Sequence, residues 1–249
     1  MEQTEAGIVN ADEYRKMYEA ESGFWWFVAK GRLVERLVRR WFPEGGNFLD
    51  IGCGTGANLK RARSITGGNW FGLDESAKAV GFCSESGHGL LLRAEAERLP
   101  FAADSLDGVL ALDLLEHLGD DFAAADEIIR VLKPGGRVIV TAPAYQTLFG
   151  SHDEALGHFR RYSIEQVERL FDELELIRSG HFFGVHLPLM APVRMWQRFF
   201  GKGGATISYR WPRSVNAVML TAARLELKLL DRNPLPFGTT IFLVAEKGR

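Results

Sequence analysis

The stretch Phe48-Leu49-Asp50-Ile51-Gly52-Cys53-Gly54-Thr55-Gly56 decides the fold. A short apolar run ends in an acid and passes at once into a glycine-rich turn. That order sets the turn at the carboxyl edge of a buried strand, where open α/β sheets bind their ligands. Alternate glycines carry no Cβ, so the backbone can approach a ligand to contact distance. The spacing is G-x-G-x-G, not the G-x-G-x-x-G of dinucleotide-binding turns. A carboxylate just ahead of the first glycine repels a pyrophosphate and suits a cationic, nucleoside-containing cofactor.

Outward from this turn, strands and helices alternate. Short apolar runs without polar alternation predict strands over 47–51, 70–73, 89–93, 108–112 and 137–141, covered on both faces. Helices are predicted over 57–64, 76–86 and 120–132, the last with Phe122, Ala125, Ile128, Ile129 and Leu132 at helical spacing. Such alternation implies a parallel sheet. Two helices precede it, over 10–22 and 30–41, with the aromatic run Phe24-Trp25-Trp26-Phe27 between them. Downstream, Ser163 is placed to cap a helix to Phe171, and 175–181 and 239–246 read as two more strands.

The chain has 249 residues, 46% of them hydrophobic, and a net charge of −2. That allows one sizeable core and gives no global attraction to nucleic acid. From Leu187 to Arg249 there are ten Lys and Arg against three Asp and Glu, a local excess that suits an anionic partner or merely a basic surface. Two cysteines, Cys53 and Cys83, are too few for a disulfide framework or a zinc site, and a reducing, cytoplasmic setting is expected. The acidic N-terminal residues do not read as a secretory signal, and no run of 18 apolar residues suggests a transmembrane helix. No metal-ligand spacing is seen, so no metal is expected.

From about Phe48 to Pro143 the chain resembles the class I S-adenosylmethionine-dependent methyltransferases. Asp50-Ile-Gly-Cys-Gly-Thr-Gly56 is similar to their first motif, and Asp74 to the acid that closes their second strand. Glu95-Ala-Glu-Arg-Leu-Pro-Phe101 is similar to a D-A-x-x-L-P-F segment near the adenine, with Glu in place of Asp. Leu106 to His117 resembles the fourth strand and its loop, and Leu132-Lys-Pro-Gly-Gly136 the turn into the fifth. The resemblance implies a doubly wound, seven-stranded, mostly parallel α/β sheet with an antiparallel last strand and helices on both faces. It also implies S-adenosylmethionine as cofactor and S-adenosylhomocysteine as product. Asp50 would favour the cationic amino acid end, and the backbone N–H groups near Gly52, Gly54 and Thr55 its carboxylate, with Gly56 completing the cofactor-binding turn. Asp74 would accept from the ribose, Glu95 and Ala96 would reach the adenine, and Leu112 or Asp113 would border the methyl group.

Where the family usually has a short link between strands six and seven, roughly 50 residues intervene here. The chain divides accordingly into an N-terminal helical cap (1–46), a core (47–183 and 237–249) and a helical insertion (184–236) that suits a substrate cap. Within the insertion a helix is expected over 193–200 with Pro192 at its start, and another from Ser214 to Leu230 with Val218, Ala222, Leu225 and Leu229 as its apolar stripe. Aromatic and basic residues mixed there are compatible with peripheral membrane contact or with an anionic, partly apolar ligand. His117, His152 and His158 are candidates for taking a proton from the acceptor, His117 equally for ordering its loop. Arg160, Arg161 and Tyr162 are candidates for holding an anionic group, or the arginines for pairing with Glu165 or Glu168. The expected function is methyl transfer to a small-molecule or lipid-like acceptor, with no nucleic acid involved. The alternative is a non-catalytic S-adenosylmethionine-binding partner or sensor.

Overall fold

A computed structural model describes residues 11–85, 87, 90–200, 209, 211–230 and 235–248. In chain order the elements are α1 (Ala11–Ala20), α2 (Trp25–Trp41), β1 (Asn47–Ile51), α3 (Ala57–Thr66), β2 (Asn69–Asp74), α4 (Ala77–Glu85), β3 (Leu91–Arg93) and β4 (Leu106–Leu112). There follow α5 (Asp121–Val131), β5 (Leu132–Pro143), α6 (Ser151–Ala155), α7 (Ile164–Leu170), β6 (Glu175–Phe182), α8 (Leu187–Phe200), α9 (Arg213–Leu230) and β7 (Thr240–Glu246). The sheet runs β3-β2-β1-β4-β5-β7-β6. Its first five strands are parallel, and β7 lies antiparallel between β5 and β6, as the family resemblance implied.

The two-residue period of the strands sorts the core into two layers. On one face Leu49, Val109, Val140 and Leu243 pack beneath α5 and α7. On the other, Phe48, Leu110, Ile139 and Phe242 pack with α2, α3 and α9. Phe48 is fully buried and stacks on Trp70, ring centroids 4.8 Å apart, and on Phe42 at 5.4 Å. Asp50, two residues further along β1, shares Phe48's face by parity. A carboxylate thereby ends an otherwise apolar layer.

Several expected boundaries move, each for a local reason. The helix expected from residue 30 begins at Trp25, so three members of the aromatic run are helical. Asn216 of α9 supports that start: its Oδ1 accepts from the Trp25 N–H at 2.8 Å and its Nδ2 donates to the Gly23 carbonyl at 2.9 Å. The helix expected over 193–200 begins at Leu187 and takes Pro192 inside it. Pro188, at the second helical position, is the proline that suits a first turn. Strand β3 begins at Leu91, and Gly89 lies outside the described residues, as does Asn10 ahead of α1. In α5, Asp120 is the N-cap, accepting from Ala123 N–H at 3.0 Å, and Phe122 faces outward.

The apolar stripe on α9 is the clearest correction. Val218, Leu225 and Leu229 are exposed, Val218 by 67%, and the buried face carries Met219, Ala223, Glu226, Leu227 and Leu230. Glu226 is buried because its carboxylate accepts the Gly184 and Val185 N–H groups at 2.9 and 3.2 Å, just ahead of α8. The polar residue thus marks the inner face of the helix. Phe48→Ala should cost about 3–5 kcal/mol in urea unfolding, whereas Val218→Ser should change stability by less than about 0.5 kcal/mol. Equal losses at the two positions would contradict this assignment of faces.

Candidate active site

The carboxyl ends of β1, β2 and β4 open into a cavity of about 590 Å³. The glycine turn forms its floor. Gly52, Gly54 and Gly56 have φ of 69°, 54° and 85°, a left-handed conformation that side chains with a Cβ resist. A Cβ on Gly52 would lie 3.0 Å from Leu114 Cδ1, while one on Gly54 would meet only the Gly52 carbonyl, at 4.0 Å. The Gly52 and Cys53 N–H groups both donate to the Leu73 carbonyl, at 2.7 and 3.0 Å, tying the turn to β2.

Two carboxylates flank this turn. Asp74, at the end of β2, accepts from Gly54 N–H at 3.0 Å and from Ser76 N–H at 2.9 Å. Burial raises its pKa, and those two donors oppose the rise. Asp50 is buried, and its Oδ2 has no hydrogen-bond partner among the described residues. Burial first, then the Asp74 charge, push its carboxyl up to about 8. Such a group favours a cationic neighbour that would restore its ionised form.

Of the other expected cofactor contacts, Ala96 and Leu112 line the cavity. Glu95 does not: its side chain is exposed and outside the cavity wall, because Ala94 and Ala96 take the inward positions on either side of it. Glu75, not singled out from the sequence, does line it. Asp113, the residue after β4, has φ of 49°, a strained value for a residue with a Cβ. It is held by an ion pair with Lys30 of α2 and accepts from the Thr141 hydroxyl at 3.3 Å.

The far side of the cavity comes from the turn after β4 (Leu115–His117) and the segment around α6. His117, His152 and His158 all border it. Burial holds the imidazoles of His117 and His152 down, to about 4 and about 3, so both are neutral at pH 7. His158 Nδ1 lies 3.1 Å from Asp153 Oδ1. Asp153 is fully buried and also pairs with Arg161, 2.7 Å from Nη2, which helps keep its carboxyl well below the usual range.

The expected anion holders divide. Arg161 reaches the cavity wall, yet its guanidinium is engaged by Asp153. Arg160 pairs with Asp121 at 2.9 Å and donates to the Gly119 carbonyl at 3.0 Å, and does not border the cavity. Tyr162 is buried and donates its hydroxyl to Asp121 at 2.7 Å, away from the wall. Glu165 and Glu168, the partners considered for these arginines, are not theirs; Glu168 accepts from Ser179. The cation the sequence did not single out is Arg194 of α8. Its Nη1 is buried without a hydrogen-bond partner among the described residues, and burial, then Arg161, lower its pKa to about 10. Folding also gathers Glu116, His117 and His158, whose ligand atoms lie within 4.8 Å of one another, although their linear spacing suggests no metal pattern.

Met190, Val193 and Arg194 of α8, with Tyr209 and Trp211, line one side of the cavity. Trp211 and Tyr209 pack on Phe24, at 5.7 and 5.5 Å between ring centroids, and His186 stacks on Trp25 at 4.7 Å. His186 is thus a packing residue, bonded to the Met219 carbonyl at 2.9 Å. The side chains of Phe199 and Phe200, and residues Lys202 and Arg210, lie outside what is described. Arg161→Ala would leave Asp153 buried without its cation, and should cost about 3–5 kcal/mol. Chemical denaturation would measure this, and a loss below about 1 kcal/mol would show the pair to be dispensable.

A family model described as "Methyltransferase domain" matches residues 49–140. An uncharacterized methyltransferase of Mycobacterium tuberculosis is 32% identical over 120 residues, 47% of each chain. The chain therefore spans about half the length of the curated relatives it matches. Among solved structures, the chain is similar to a methyltransferase in complex with the Haloferax volcanii Trm112 methyltransferase activator (TM-score 0.65, 19% identity, 96% of each chain). It is similar also to Haemonchus contortus phosphoethanolamine N-methyltransferase 2, solved with phosphomonomethylethanolamine and S-adenosylhomocysteine (TM-score 0.59, 20% identity, 88% of this chain and 53% of that one). Residues 49–140 thus match a methyltransferase-domain model, and the chain's fold is similar to that of solved S-adenosylmethionine-dependent methyltransferases.

Proposed function

We propose that the protein transfers a methyl group from S-adenosylmethionine to a small-molecule or lipid-like acceptor bearing an anionic group. The observation that carries the donor half is the pair of buried carboxylates at the glycine turn, with Asp50 Oδ2 lacking a partner among the described residues. The residues fit the cofactor. Asp50 suits its ammonium end, and the N–H groups at the start of α3 (Ala57–Thr66) suit its carboxylate. Asp74 and Glu75 border the ribose side and Ala96 the adenine side. When bound, S-adenosylmethionine supplies a methyl group on a sulfonium whose leaving group is a neutral thioether. The chain's own task is alignment and the exclusion of water. The N-terminal helices and the insertion serve that task as a cap, with Trp26, Phe27 and Met190 in the cavity wall.

The acceptor half rests on Arg194, a half-buried residue in the cavity wall whose Nη1 is buried and has no hydrogen-bond partner among the described residues. A phosphate or carboxylate would complete it. A lipid-like acceptor is supported by the exposed row Val215, Val218, Leu225 and Leu229 on α9, set among exposed Arg213, Arg224 and Lys228. That mixture suits contact with an anionic lipid surface.

Calorimetry tests the donor site. Wild-type protein should bind S-adenosylmethionine with Kd on the order of micromolar, and Asp50→Asn should weaken it at least about tenfold, roughly 1.4 kcal/mol. Because the Asp50 carboxyl is pushed up to about 8, binding that favours its ionised form releases a proton below that pH. Wild-type affinity should then rise between pH 6 and 8 and level off above, with a shallower dependence in Asp50→Asn. Absence of heat from the wild type, or identical pH profiles for the two proteins, would contradict the assignment.

A further inference from the structure

Glu116 is the most anomalous polar residue in the structure. It is 1% exposed, and both carboxylate oxygens lack a hydrogen-bond partner among the described residues. An unpaired buried carboxylate costs several kcal/mol unless it is neutralised or meets a cation. The neighbouring cations are already engaged: Lys30 with Asp113, and Arg161 with Asp153.

Two imidazoles stand beside it. His117 Nδ1 is buried and also without a partner among the described residues. The His117 and His158 rings meet edge to face with centroids 4.6 Å apart. Asp153 lies against His158 Nδ1, and a carboxylate there fixes the proton on Nδ1 and leaves the Nε2 lone pair available. A carboxylate behind an imidazole is the usual outer support of a metal-bound histidine. The backbone is pinned as well. The Phe159 N–H donates to the Glu116 carbonyl at 2.8 Å, and the His158 N–H to the Asp153 carbonyl at 2.9 Å. The two segments that carry these side chains are therefore joined main chain to main chain.

We propose that Glu116, His117 and His158 form a three-ligand site for a divalent transition ion of the zinc type, at the acceptor end of the cavity. Two imidazoles and one carboxylate are a ligand set that such ions accept, with remaining positions open to water or substrate. The ligand atoms lie within 4.8 Å of one another. Bond lengths of about 2.0–2.2 Å require them to draw somewhat closer, which small side-chain rotations supply. The ion would provide the cation that Glu116 lacks. On the methyl-transfer reading above, its open positions would take an oxygen of the acceptor and lower the pKa of a coordinated hydroxyl, whose proton would pass to water as the oxygen takes the methyl group and the neutral thioether leaves. His117 and His158 then act as ligands, not as bases.

Cobalt(II) titration of the chelator-stripped full chain tests this, since cobalt reports its ligands by absorption. One equivalent should bind and develop visible d–d bands without sulfur-to-cobalt charge transfer. Glu116→Gln and His158→Gln should each weaken binding at least about tenfold, with unchanged far-UV circular dichroism. His158 is only partly buried, so its variant keeps the test open should Glu116→Gln fail to fold. No d–d absorption, charge-transfer bands that put the ion on Cys53 and Cys83, or wild-type affinity in folded His158→Gln would overturn the inference. S-adenosylhomocysteine calorimetry on the same stripped sample reads the donor site separately. Nucleoside binding without cobalt binding overturns the metal site alone, and cobalt binding without nucleoside binding removes the methyl-transfer reading while the metal site stands.

Discussion

A carboxylate buried at the end of an apolar strand face is the constraint on which the rest of the structure turns. Asp50 follows Phe48 on the same face of β1, in a layer of stacked aromatic rings that offers no hydrogen bond. Asp74 stands at the end of the neighbouring strand and takes the Gly54 N–H. Burial raises the cost of ionising both acids, the Asp74 charge adds to that of Asp50, and no basic side chain among the described residues pairs with either. Desolvated like charges persist only where something else compensates for them. At the carboxyl edge of a parallel sheet, beside a left-handed glycine turn, a cationic nucleoside is the compensation that the geometry favours.

The same edge is elaborated on its other side. The turn after β4 carries Glu116 and His117, and α6 with the segment after it brings Asp153, His158 and Arg161 against it. Lys30 reaches across from α2 to Asp113, so the N-terminal helices tie directly to the tip of β4. Asn216 of α9 bonds to the start of α2, and Glu226 ties α9 to the residues just ahead of α8. One cavity thus draws its walls from segments distant in sequence. Among the described residues, Glu116 has neither carboxylate oxygen hydrogen-bonded, and Asp50 lacks a partner at Oδ2.

Much of this was legible in the sequence because its signals are local. Strand periodicity and the glycine turn gave the parallel half of the sheet, and the resemblance supplied the antiparallel pair. Helix starts were read less well. The aromatic run was set before a helix that contains it, since the support for that start comes from Asn216, 191 residues away. Helix α8 begins at Leu187, six residues ahead of the start expected just after Pro192. On α9 two faces were similarly apolar, and only the partners of Glu226 decide which is buried. The site shows the same division. Residues of the glycine turn could be found by spacing, whereas Arg194 and the Glu116–His117–His158 group come together only through tertiary contacts. Arg160 and Arg161 were recognised as anion-seeking, but the anions they meet are Asp121 and Asp153 of the same chain.

The central claim is that the glycine turn and its two buried acids are built for a cationic nucleoside. A crystal structure of the protein with S-adenosylhomocysteine tests it most directly. The account predicts density for the ligand over Gly52 and Gly54, with its ammonium towards Asp50 and its ribose towards Asp74 and Glu75. A ligand bound elsewhere, or Asp50 still without a partner beside a filled cavity, would contradict it.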